Sequence, residues 1–146
     1  MPNQVSEMQN LPLSRTLWKS VWAVFAGILV NVVPALGTDQ LLHWLYVYPP
    51  WGEPMNEPGD NVLALSYRIV FGILGSYVTA KTAPHSPMRH AMILGWFGLV
   101  VSAAGVVVAT MSDLGPIWYP IALVVVALPC AWLGGYLCEK SKSSPH

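Results

Sequence analysis

The sequence predicts an all-α membrane protein: four transmembrane helices in an up-down bundle, with a short interfacial helix after the first span. Three observations carry that expectation. Only 10% of the 146 residues are charged, against about 25% in a typical soluble domain, too few to cover a water-facing surface of this size. The charges that exist stand apart, leaving three long uncharged stretches and one more, second in order, broken by Arg68 alone. Along the second and third of these, small residues recur at four-residue spacing, the interval at which helices approach closely in lipid.

Residues 1–16 are polar, aperiodic and carry Pro2 and Pro12, which reads as a flexible cytoplasmic tail. Nineteen uncharged residues separate Lys19 from Asp39. As a helix they extend about 28 Å, close to the roughly 30 Å of a bilayer core. The first span is therefore placed at about 18–37. Pro34 inside it should free the carbonyl of Val30 and bend the helix, with Asn31 near enough to offer a compensating hydrogen bond. Arg15, Lys19, the apolar run Val21 to Val30 and the triplet Val33-Pro34-Ala35 also resemble a signal peptide with its cleavage site. Asn31, the proline before the supposed cut and the apolar continuation to Tyr48 favour retention as a span.

Thr38 and Asp39 follow Gly37 and suit the cap of a new helix, Gln40 to Tyr48, closed by Pro49-Pro50. Leu41, Leu42 and Leu45 on one side, with Asp39 and His43 one turn apart on the other, suggest a segment along the membrane surface. A proline-rich acidic loop covers residues 49–61. The second span, about 62–81, is interrupted by Arg68 alone. Twenty-two uncharged residues between His90 and Asp113 give the third, about 90–111, and twenty-five between Asp113 and Glu139 the fourth, about 115–138. Pro116 suits a first turn, and Pro120 and Pro129 are tolerable within a membrane helix. Residues 139–146 read as a second cytoplasmic tail.

Orientation follows from the bases. Arg15 and Lys19 precede the first span, Lys81 and Arg89 flank the turn after the second, and Lys140 and Lys142 follow the fourth. The loops after the first and third spans hold Glu53, Glu57, Asp60 and Asp113 and no Lys or Arg. The positive-inside rule then puts both termini in the cytoplasm of a cell whose inner membrane the chain crosses. Trp18, Trp22, Tyr77, Trp96, Trp132 and Tyr136 fall toward the inner boundary, and Trp44, Tyr46, Tyr48, Trp51, Tyr67, Trp118 and Tyr119 toward the outer, as a belt at each interface requires.

The helix-packing seam comprises Gly72, Ser76 and Ala80 on the second span and Ala91, Gly95, Gly98 and Ser102 on the third. Leu74-Gly75-Ser76-Tyr77-Val78 also matches Leu133-Gly134-Gly135-Tyr136-Leu137, a trace of duplication or of chance likeness between membrane helices. Arg68 heads the seam about 9 Å below the outer boundary. It reads either as a packing or snorkelling arginine or as an anion or headgroup site, with Asp39 as its expected partner. His43 completes a candidate intramembrane polar site of Arg68, Asp39 and His43. Asp39 and His43 supply two metal ligands where three or four are needed, so no metal site is assigned. His85 and His90 are five apart and read as solvated turn residues.

No Ser-His-Asp set, CxxC, paired intramembrane carboxylates or haem-style histidine pair is present, so no catalytic residue and no cofactor is assigned. The seven acids and seven bases cancel, leaving no field for nucleic acid. Cys130 and Cys138, about 12 Å apart on one helix, are out of disulfide range of each other. The segments Gly75-Ser76-Tyr77-Val78-Thr79-Ala80-Lys81-Thr82-Ala83-Pro84 and Pro87-Met88-Arg89-His90-Ala91 resemble a pattern of small uncharacterised bacterial four-helix integral membrane proteins. Trp118-Tyr119-Pro120 and Leu128-Pro129-Cys130-Ala131-Trp132-Leu133-Gly134-Gly135 are similar too. The resemblance implies topology and no activity, and Ser76 stands where that pattern usually has Gly. The expectation is a non-enzymatic membrane component or accessory subunit. Its partners are the lipid bilayer and either a membrane-protein partner or copies of itself. A small transporter or channel subunit working through Arg68 and Asp39 is the alternative.

Overall fold

The computed structural model describes residues 3–144, with side chains from residue 13 onward. Four helices follow one another: α1 (Asn3–Trp44), α2 (Pro58–Thr82), α3 (Pro87–Ser112) and α4 (Trp118–Ser143). All four are long and apolar enough to cross a membrane. With no strand among the described residues, the chain is a multi-pass helical membrane protein.

The path is up-down. Residues 45–57 and 113–117 meet at one end, where the Met55 amide donates to the Leu114 carbonyl at 3.1 Å. At the other, Ala80 of α2, Ala91 of α3 and Cys138 of α4 close into one buried cluster beside Tyr77. These are called here the acidic and the basic end. Helix α4 packs against both α2 and α3, whereas α1 packs mainly on α2.

Helix α1 departs from expectation at both ends. Its backbone is already helical at Asn3, so residues 3–16 are not the aperiodic tail expected; the side chains of residues 1–12 lie outside the described residues. At the other end no separate interfacial helix forms, because Gln40 to Trp44 continue α1 without a break. Thr38 does not cap: its hydroxyl turns back to the Pro34 carbonyl at 2.8 Å within the helix. Asn31 makes no hydrogen bond to the freed carbonyl. The helix stops at a Schellman motif, in which the Val47 amide reaches the Leu42 carbonyl at 3.0 Å and Tyr46 takes a left-handed φ of 57°. That reversal brings Tyr48 back against the bundle, where it is buried. Helix α4 likewise runs on to Ser143, past the expected start of a tail at 139; residues 145–146 lie outside the described residues.

The small residues do pack, but not as a seam joining α2 to α3. A methyl on Gly72 would stand 3.6 Å from Cys130 Cβ, and one on Gly134 would come within 2.6 Å of Ser76 Cβ and of the Ile73 carbonyl oxygen. Those are contacts between α2 and α4. On α3, Gly95 faces Ala131, and Ala91 faces Gly135, again on α4. Four-residue spacing declares a small face without naming the helix that fills it. Helix α4 carries two such stripes side by side, Cys130-Gly134-Cys138 toward α2 and Ala131-Gly135 toward α3. Gly98 has nothing within 4 Å; it lines a cavity with Ser102 instead.

A third close approach lies between α1 and α2. A Cβ on Gly75 would lie 2.6 Å from the Gly27 carbonyl oxygen, so the two backbones touch there with no room for a side chain. Ala23, Gly27, Ala35 and Asp39 are buried at four-residue intervals along α1, with Asn31 half-buried between them. The two glycines of the Gly75/Gly134 match therefore face different neighbours, α1 in one case and α2 in the other.

Candidate functional site

The bundle brings Asp39 and Arg68 together. Both oxygens of the Asp39 carboxylate are engaged: Oδ2 accepts from Arg68 Nη2 and Oδ1 from the Tyr67 hydroxyl. Adjacent positions on α2 serve one acceptor because Asp39 approaches the helix between them. The Asp39 side chain is 10% exposed, and burial without these donors would cost several kcal/mol or force protonation.

Tyr48 extends the network. Its hydroxyl lies 3.3 Å from that of Tyr67 and donates to the Asp60 carbonyl at 3.3 Å. Burial pushes the Tyr48 phenol above its usual range, with the neighbouring Tyr67 hydroxyl opposing the shift and the charge on Asp39 adding to it. It is a neutral hydrogen-bonding group at physiological pH. Nearby, Asn61 is 2% exposed and braces the loop by donating to the carbonyls of Met55 at 2.8 Å and Glu57 at 3.0 Å.

His43 does not join the pair. It lies one turn beyond Asp39, but its Nδ1 is 2.7 Å from the Pro49 carbonyl and its ring lies 4.0 Å from that of Trp51. A hydrogen bond to a carbonyl requires a proton on Nδ1, which leaves Nε2 as the free nitrogen of the neutral ring. His43 therefore walls the site without touching its charges. Among the described residues no three of His, Cys, Asp and Glu gather as metal ligands.

The site opens on space. A cavity of about 480 Å³ at the acidic end is lined by Asp39, His43, Trp51, Arg68, Ser102 and Tyr119, among others. A second, about 210 Å³, continues toward the basic end between Gly72, Ser76, Gly95 and Gly98, and shares Arg68 and Ser102 with the first. The larger lies within the range of about 300–1,000 Å³ typical of ligand pockets. Arg68 stands at the junction. Its Nε is buried with no hydrogen-bond partner, and Nη1 has no acceptor among the described residues, so Asp39 satisfies only part of the guanidinium.

The sequence pointed to Arg68 and Asp39 but not to Tyr67, Tyr48, Trp51 or Tyr119, which it placed in the outer aromatic belt. Tyr67 was findable as a phenol next to the arginine on one helix. Tyr48 was not, because its place depends on the Schellman turn. No family model, curated protein or solved structure matches the chain.

Proposed function

We propose that the chain is a non-enzymatic component of a bacterial inner membrane that binds a small ligand in the cavity at its acidic end. The distribution of Lys and Arg supports placing both termini in the cytoplasm and that cavity at the outer side. One observation carries the reading: a guanidinium in an apolar bundle, its side chain one-third exposed, its Nε buried without a partner and only partly satisfied by Asp39, on the lining shared by two cavities. An arginine kept for packing alone gains nothing from adjoining space, whereas a buried donor without an acceptor costs about 1–3 kcal/mol, which a bound acceptor recovers. Native mass spectrometry of the detergent-purified protein tests it. The parent should carry a ligand of defined mass that the Asp39→Asn/Arg68→Gln double variant, still folded by its thermal transition, has lost. An empty parent, or equal loading of both, removes the reading.

A second reading is a small carrier with this pocket on its path. The crevice reaching past Arg68 to Ser76 favours it. Against a channel stands the basic end, where Ala80, Ala91 and Cys138 are at most 1% exposed. In proteoliposomes a carrier would show a flux that Arg68→Ala and Asp39→Asn each abolish; no flux, or flux indifferent to both changes, discards it.

A further inference from the structure

The pocket is graded in chemistry along its depth. At its mouth stand the ring of Trp51 and the carboxylate of Glu53, which is exposed and forms no ion pair among the described residues. Deeper lies Arg68, with one nitrogen on Asp39 and two without an acceptor. Below Arg68 the lining is mostly apolar, through Val32, Gly72, Gly98 and Val126, with Asn31, Ser76 and Ser102 as its polar members. From the loops inward the order is anion with aromatic ring, cation, hydrocarbon.

Charge decides what fits. Asp39 already balances Arg68, so Glu53 leaves the lining with an excess negative charge, and a head group of net negative charge would be repelled at the entrance. A head group with its own cation outermost and its anion innermost meets an opposite charge at each level. The ring of Trp51 at the mouth offers a face for that cation. The free edge of the Arg68 fork suits a phosphate oxygen. The apolar crevice beyond suits a hydrocarbon chain.

On the reading that this pocket is a ligand site, we infer that its occupant is a zwitterionic phospholipid. The ammonium lies toward Glu53 and Trp51, the phosphate on Arg68, and one acyl chain in the crevice that all four helices line. The lipid stands where the unpaired guanidinium nitrogens lack an acceptor.

The test is lipid retention by the full chain in detergent, read by native mass spectrometry. The probes are phosphatidylethanolamine, phosphatidylglycerol and diacylglycerol with identical chains. The parent should retain phosphatidylethanolamine at least about fivefold better than phosphatidylglycerol, and diacylglycerol hardly at all. Glu53→Gln, at an exposed position that threatens no packing, should bring the two phospholipids within about twofold of each other. The Asp39→Asn/Arg68→Gln double variant should lose both. Phosphatidylglycerol retained as well as phosphatidylethanolamine by the parent, or a preference untouched by Glu53→Gln, overturns the zwitterion and leaves the pocket. Retention of some other ligand and no phospholipid overturns the lipid class. A parent that carries nothing at all overturns the pocket itself.

Discussion

At the basic end, three helices close on residues no larger than alanine or cysteine, and Ala80, Ala91 and Cys138 are all but inaccessible. At the acidic end the same helices enclose space beside Asp39, Tyr67 and Arg68. Helix α3 shows both conditions along its own length. His90, expected as a solvated turn residue, is instead buried in the first turn of α3, with its Nδ1 3.1 Å from the Ser86 carbonyl oxygen. Ala91, Leu94 and Gly95 are buried too, and no residue of α3 after Gly95 is. The difference is one of means. In lipid, small residues hold helices together by contact and need no cavity, since nothing hydrophobic drives the helices together. A charged pair holds them at one point and leaves the remaining surface unfilled. Close contact and open space are thus assigned to opposite ends of one bundle.

Substitutions can break that contrast in graded steps. The largest effect should come from Gly134→Leu, whose Cβ would come within 2.6 Å of the Ile73 carbonyl oxygen and 2.8 Å of the Tyr77 amide. Backbone cannot yield as a side-chain tip can, so a loss of about 3 kcal/mol or more is expected, read as a fall in thermal stability in detergent. Asp39→Ala should come next. It strands Arg68, and a loss of about 2 kcal/mol is expected, below the 3–5 of a fully buried pair because the arginine can snorkel toward the interface. Adding Arg68→Met should restore much of it, a non-additivity that a double-mutant cycle measures.

Thr79→Val sharpens the contrast from the tight side. The Thr79 hydroxyl is buried at the α1–α2 crossing without a partner, so a methyl in its place should stabilise the protein by about 1 kcal/mol. Gly98→Ala should do least. Its Cβ meets open space, and a change within about 0.5 kcal/mol is expected; a loss as large as that of Gly134→Leu would show that α3 packs tightly along its whole length.

The four spans were legible in the sequence because charge is scarce and its gaps match a bilayer's thickness. The end of α1 was not. Gly37, Thr38 and Asp39 form a plausible helix break when judged by local chemistry, in which an aspartate cap is worth about 1 kcal/mol. Asp39 instead gains donors from Arg68 and Tyr67 on another helix, and charge-assisted bonds at about 1.5–3 kcal/mol each outweigh a cap. Its ion-pair partner was foreseen, while the consequence for the helix was not. The small faces of α2 and α3 were visible too, but their common partner α4 was not, since spacing along one helix carries no information about which neighbour fills it. The same four-residue rule applied to α1 would have marked Ala23, Gly27, Ala35 and Asp39 as its inward side.

Gly115 has a φ of +130°, and the Met55 carbonyl oxygen lies 2.8 Å from where its Cβ would be. Beside it runs the hydrogen bond from the Met55 amide to the Leu114 carbonyl, the one backbone bond that joins the two loops among the described residues. The rim behaves like a hoop fastened by one clasp. Any side chain at 115 prises the clasp open, and both halves of the rim are then freed together. On the proposed reading, a ligand entering at that mouth would meet this clasp, set by a residue with no side chain of its own.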